Sequence, residues 1–182
     1  MLVVCTGNIC RSPAIEAALR EQIPGLDVSS AGTRALADQP VHPLTADAMT
    51  GLGLAVPVHR SRWIGPEVLR DVELVVTAER AHRAPVLTLR PDLLRRTLTF
   101  SELVDLAEAA DAGLPPGEEV AALRAVVAQR GRHAVVAHDL PDPVTGGPAE
   151  QARMVATVVS GVGRLRVALT SGGGPVTPVT RA

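Results

Sequence analysis

The 182-residue chain contains no lysine and no tyrosine, one phenylalanine, one tryptophan and two cysteines. Each scarcity excludes something. Cys5 and Cys10 are too few for a disulfide framework and too close together to staple distant parts of the chain, so their role is local and chemical. No apolar run approaches the roughly 18 residues that span a bilayer, and Met1 to Val4 is apolar without a cationic leader. A cytoplasmic protein with no membrane partner is expected. Acids and bases nearly cancel to a net charge of -1, which points away from nucleic acid as the main partner. His42, His59, His82, His133 and His138 show no metal-ligand spacing. No metal and no cofactor are expected, and the histidines are read as structural or surface residues. The remaining basic side chains are all arginine, from which no function is read.

What is present is a chain that is 46% hydrophobic, enough for one good core and short for two. One domain over residues 1–170 is expected. Leu2, Val3 and Val4 read as a buried strand that runs into Thr6-Gly7-Asn8, a loop. A helix follows, with Ser12 as its cap, Pro13 suited to its first position, Ile15, Leu19 and Ile23 on one face, and Pro24-Gly25 at its end. Leu26 to Ser30 reads as a second strand, Thr45 to Leu52 as a helix, Pro66 to Arg70 as another, and Glu73 to Thr77 as a third strand. Helical character resumes from Glu79. Arg96 to Phe100 reads as a fourth strand, and Ser101 to Gly131 as two helices. This alternation predicts an α/β fold of three layers, with a four-stranded parallel sheet covered by helices on both faces. Residues 171–182, rich in Gly, Pro and Thr, have too little apolar surface to order and read as a disordered tail.

The chemistry gathers in Cys5-Thr6-Gly7-Asn8-Ile9-Cys10-Arg11-Ser12. The Cys-x5-Arg spacing alone is weak; its position between a buried strand and a helix start strengthens it, because that is where parallel α/β sheets bind ligands. Backbone N–H groups turned inward there, with the positive end of the helix dipole, form an anion nest suited to phosphate. Gly7 and Asn8 are residue types that tolerate left-handed backbone. The helix end and the Arg11 guanidinium favour a thiolate at Cys5, a nucleophile at neutral pH. Arg11 can grip two phosphoryl oxygens at once, and Ser12 can donate its hydroxyl to the sulfur. Thr6 to Ser12 are thus the candidate phosphate-binding residues.

Val4 to Pro13 as a whole resembles the signature of the low-molecular-weight protein tyrosine phosphatases. Ser30-Ala31-Gly32-Thr33 resembles a second motif of that family and Asp142-Pro143 a third, and together they cover residues 1 to about 165. The resemblance implies a flavodoxin-like fold and a phosphatase acting on phosphorylated protein, or on a small phosphomonoester, through a cysteinyl phosphate. It implies Cys5 as nucleophile, Arg11 as the phosphate-gripping cation and Asp142 as general acid and then base, with Asp139 the nearest rival on the same loop. It also implies that Cys10 can pair with Cys5 in a protective disulfide; a small residue packed under the loop is the equal alternative.

The chain departs from the family in ways that bear on substrate. Val144-Thr145-Gly146-Gly147 stands where many relatives carry tyrosine, so no aromatic wall follows Asp142-Pro143, and regulation through the chain's own tyrosines is excluded. Phe100 reads as core and Trp63 as core or rim. Ile9 stands where relatives acting on phosphoarginine carry threonine, which favours the tyrosine-type reading. The helical segment at about 101–131 exceeds the minimal family fold and either shapes the entrance or simply packs. An arsenate reductase would need an external thiol, since no cysteine follows Cys10, and a phosphate-binding module without activity is the non-enzymatic alternative.

Overall fold

Leu2 and Val4 point to one face of a sheet and Val3 and Cys5 to the other, the period-two alternation of a strand buried on both sides. In the computed structural model, which describes residues 1–110, 113–115 and 117–170, this strand, β1 (Leu2–Cys5), lies between β2 (Ser29–Gly32) and β3 (Val75–Thr77), with β4 (Thr97–Thr99) beyond β3. All pairings are parallel, with Leu2 opposite both Ser29 and Val75, and Val75 opposite Thr97. The expected tail at 171–182 lies outside the described residues.

Val3, Cys5, Val76 and Leu98 join a core with helices α1 (Arg11–Gln22), α2 (Pro43–Gly51), α5 (Phe100–Ala109), α6 (Glu119–Ala128) and α7 (Pro148–Thr170). Leu2, Val4, Ala31 and Val75 pack on the opposite face against α3 (Pro66–Leu69), α4 (Arg83–Leu89) and a 3-10 segment at Pro91–Arg96. The three-layer expectation holds. Because β1 is central and its two neighbours are reached by connections leaving in opposite directions, the loop after β1 sits at the topological switch point, the crevice where such sheets take ligands. Among the described residues no helix is long and apolar enough to cross a membrane.

Element ends differ from the sequence expectation in three informative places. α1 starts at Arg11 with no side-chain cap, because the Ser12 hydroxyl is engaged with Cys5 and Asn8 instead. β2 begins at Ser29: Leu26 and Val28 serve the core as a lead-in, and the ladder itself is Ser-Ser-Ala-Gly. Phe100 starts α5 instead of ending β4, because Thr99 accepts from the Glu102 N–H (3.2 Å) while Glu102 accepts from the Thr99 N–H (2.8 Å), a reciprocal cap that closes the strand. Phe100 is core, as expected, and Trp63 is rim, 56% exposed.

Candidate active site

Asn8 organises the loop between β1 and α1. It is fully buried with φ of 56°, a left-handed conformation that asparagine tolerates better than most residues. Its Nδ2 donates to Ser12 Oγ (2.9 Å) and Ser30 Oγ (2.8 Å), and its Oδ1 accepts from the Arg62 N–H (3.0 Å). Its own N–H donates to Cys5 Sγ at 3.2 Å. Since Ser12 Oγ already accepts from Asn8, the Ser12 hydroxyl hydrogen is free for Cys5 Sγ, 3.0 Å away. Gly7, by contrast, does not adopt positive φ; a side chain there would meet Ile9 Cγ1 at 3.4 Å.

Gly32, in the second motif, has a steric reason to be glycine. A Cβ there would lie 2.5 Å from the Thr6 carbonyl oxygen, so β2 and the loop meet backbone to backbone. The Thr33 N–H donates to the Cys5 carbonyl (2.9 Å) and the Arg34 N–H to that of Thr6 (2.8 Å).

Arg11 is 1% exposed. A buried guanidinium needs hydrogen-bond partners, and they come from its own loop and from two distant segments. Nη1 donates to a carboxylate oxygen of Glu79 and to the Leu140 carbonyl (3.2 Å), and Nη2 to Thr6 Oγ1 (3.1 Å) and Asp142 Oδ2 (2.5 Å). Asp142 therefore reaches the loop, while Asp139 does not. Asp139 is held by Arg80, whose N–H donates to Oδ1 (2.8 Å) and whose Nη2 donates to Oδ2 (3.0 Å). The Arg80 guanidinium keeps the Asp139 carboxyl below the usual carboxylate range.

Two histidines touch the loop. His82 Nδ1 accepts the Glu79 N–H (3.1 Å), which leaves the ring proton on Nε2 to be donated to Thr6 Oγ1 (3.0 Å). Burial, and then the Arg11 cation, push the His82 pKa down, so the ring is neutral at pH 7. His59 Nε2 donates to the Asn8 carbonyl at 2.6 Å. Their role is structural, as expected, but it is exercised within the site. Cys10 is buried under the loop; burial pushes its thiol pKa up, while the Thr45 hydroxyl and Gln151 amide pull the other way.

The structure thus brings together Cys5, Thr6, Asn8, Arg11, Ser12 and Asp142, with Ile9 half-buried against the core. Sequence reasoning missed Glu79 and the loop contacts of His59 and His82. None sits in a linear motif with the loop; Glu79 was detectable only as a carboxylate directly beyond the carboxyl end of the third strand.

A family model described as "Low molecular weight phosphotyrosine protein phosphatase" matches residues 1–129. The low molecular weight protein-tyrosine-phosphatase Etp of Escherichia coli K12 is 36% identical over 111 residues, 61% of this chain and 75% of the relative. Wzb of Salmonella typhi, also named as a low molecular weight protein-tyrosine-phosphatase, is 34% identical over 100 residues, 55% of this chain and 67% of the relative. Among solved structures, the tyrosine phosphatase AmsI of Erwinia amylovora superposes with a TM-score of 0.69 at 20% identity, covering 92% of this chain and 91% of that one. The YwlE arginine phosphatase of Geobacillus stearothermophilus gives 0.70 at 23% identity, covering 92% and 90%. At these identities the structural likeness concerns the fold.

Proposed function

This chain belongs to the low molecular weight phosphotyrosine protein phosphatase family, and on that premise we propose that it hydrolyses phosphomonoesters, phosphotyrosyl protein first among them, through a phosphate ester of Cys5. The observation that carries the proposal is the reach of Arg11, which ties the nucleophile's loop to Asp142 at 2.5 Å. The nucleophile and the acid belong to one constellation.

In the proposed reaction a phosphoryl group occupies the loop from Thr6 to Ser12 and takes up the Arg11 guanidinium, whose fork suits two phosphoryl oxygens. The Cys5 thiolate forms the S–P bond as the P–O bond to the leaving group breaks, and Asp142 gives its proton to the departing oxygen. Water then attacks phosphorus, its proton goes to the Asp142 carboxylate, and the S–P bond breaks to return Cys5 as thiolate. The Ser12 hydroxyl, aimed at Sγ, stabilises the sulfur as it leaves. The products are the alcohol and inorganic phosphate. Glu79 holds the far edge of the guanidinium and so fixes its orientation.

Phosphotyrosine is favoured by the relatives' names and by Ile9 in the loop. The rim after the acid is aliphatic, with Val144 46% exposed. Action in the cytoplasm, on a phosphorylated protein or small phosphomonoester, is part of the same proposal. The test is turnover of an aryl phosphate by the reduced protein beside Cys5→Ser and Asp142→Asn, followed by phosphotyrosine, phosphoarginine and phosphoserine peptides. Activity abolished by Cys5→Ser and slowed by about 10²-fold or more in Asp142→Asn supports the mechanism, and the peptide ranking names the substrate class. An inactive parent that still binds phosphate contradicts it.

A further inference from the structure

Gln151 has no exposed surface, although the neighbours that share its helix face, Met154, Val155 and Val158, are apolar core residues. Burying an amide is costly unless both of its ends are bonded. Here both are: the Thr45 hydroxyl donates to Gln151 Oε1 at 2.6 Å, and Gln151 Nε2 donates to the Pro143 carbonyl at 2.8 Å. Pro143 directly follows Asp142. With its φ fixed by the ring, the direction of the Pro143 carbonyl sets the backbone rotation that remains after the acid. Besides Gln151, that carbonyl accepts the Gly146 N–H (2.9 Å) within its own turn. The other root of the acid loop is secured separately, by the Leu140 N–H on the Ala78 carbonyl (2.9 Å) and by the Arg80–Asp139 pair.

Thr45 leads back to the nucleophile. It is fully buried in the first turn of α2, and the residue before that helix, His42, donates its N–H to the Ile9 carbonyl in the phosphate loop at 2.8 Å. Thr45 and Gln151 both lie against Cys10 in the same loop. A continuous buried path therefore runs from the phosphate loop through α2 and Gln151 to the residue beside Asp142.

We infer that Gln151 is a positioning residue, which fixes the Pro143 carbonyl against α2 and so holds Asp142 in register with Cys5. This rests on the reading of Cys5 as nucleophile and Asp142 as acid. It touches neither substrate nor reacting atoms, and its effect is confined to steps in which Asp142 moves a proton.

That confinement makes it testable on a leaving-group series of aryl phosphates with the full chain. kcat/KM reports only steps up to the first irreversible one, transfer to Cys5, so hydrolysis of the intermediate does not intrude. Gln151→Met keeps the length and removes both hydrogen bonds. With a poor leaving group such as phenol, kcat/KM is expected to fall about 10- to 100-fold, part of the typical general-acid contribution; with dinitrophenol, which departs unaided, it is expected to fall less than about 3-fold. Competitive inhibition by inorganic phosphate is expected to stay within about 2-fold, since the hydrogen bonds of Gln151 go to Thr45 and Pro143 and not to Arg11. A uniform fall across the series, weakened phosphate inhibition, or no change at all overturns the inference. Gln151→Glu is the second variant, and it decides if the first does not fold. Its neutral form donates to Pro143 as glutamine does and its ionised form does not, so the poor-to-good leaving-group ratio, relative to the parent at each pH, is expected to recover as pH falls. A ratio independent of pH overturns the inference. A parent inactive on the whole series, or a Cys5→Ser variant that retains activity, removes the underlying phosphatase reading instead, and the inference with it.

Discussion

At the scale of single residues the site depends on Asn8, which holds a left-handed turn and three side-chain hydrogen bonds at once. Glycine there keeps the turn and loses the bonds; alanine loses the bonds and strains the backbone as well. We expect Asn8→Gly to cost about 2–3 kcal/mol and Asn8→Ala about 1 kcal/mol more, read from urea unfolding. The reverse order would mean that the turn relaxes. His82 adds a pH dependence. Its folded-state pKa lies below the ordinary value of 6.5, so the unfolded chain binds the proton more readily. Stability from the neutral, hydrogen-bonded ring is therefore fully present above about pH 6.5 and is lost as pH falls toward the lowered folded value. In His82→Gln that segment of the stability–pH curve is expected to flatten, and an unchanged curve would assign the acid sensitivity to other groups.

At the scale of elements, β2 and the loop after β1 are matched by an absent side chain. Gly32→Ala places a methyl 2.5 Å from the Thr6 carbonyl, and either β2 or the loop must shift. We expect a loss of about 1–3 kcal/mol together with weaker inhibition by inorganic phosphate, since the displaced segment is the phosphate loop itself. Stability loss with unchanged inhibition would show that β2 yields instead. The elements also show what was readable beforehand. Val3, Val4 and the Thr-Gly-Asn after Cys5 announced strand and loop, because buried parallel strands are short apolar runs punctuated by turn residues. That Cys5, Arg11 and Asp142 would be brought together was legible because each lies in a linear motif. Ser12 was read both as the helix cap and as a donor to the Cys5 sulfur, and of the two only the contact with the sulfur is found, because a serine before Pro13 looks the same whether its hydroxyl serves the helix or a thiol. Phe100 was drawn into β4 although Thr99-x-x-Glu102 already spelled the cap that ends it. α7 was readable in the spacing of Met154, Val158, Val162, Leu165 and Leu169 but was not identified. Glu79, His59, Thr45 and Gln151 had no such signal, since their meaning comes from segments that only the folded chain brings together.

At the scale of the whole molecule, helix α6 packs away from Cys5. Val120, Leu123 and Val127 of α6 border a cleft of about 750 Å³ with Met1, Leu26 and Leu74, residues that precede the amino ends of β1, β2 and β3 in turn. Cys5 lies at the opposite end of β1, on the order of 13 Å along the strand. α6 stabilises the far end of the sheet, with Ala122, Leu123 and Val126 buried in the same core as Leu165 and Leu169 of α7. We expect Leu123→Ala to lower stability by about 2–4 kcal/mol while leaving kcat/KM on aryl phosphates unchanged below its melting range. A specific fall in kcat/KM of the folded variant would connect α6 to the site.

The account as a whole stands on a phosphate ester at one sulfur. Its most direct test is to stop the reaction of the reduced protein with an aryl phosphate on the millisecond scale in acid and locate the phosphoryl group by mass spectrometry of the proteolysed chain. Asp142→Asn run in parallel, with a leaving group good enough to depart unaided, lacks the base for hydrolysis and is expected to accumulate the adduct. The account predicts phosphate on the peptide carrying Cys5, enriched in Asp142→Asn and missing in Cys5→Ser. Turnover by the parent with no phosphoryl group on that peptide, or with one on a different residue, would contradict it.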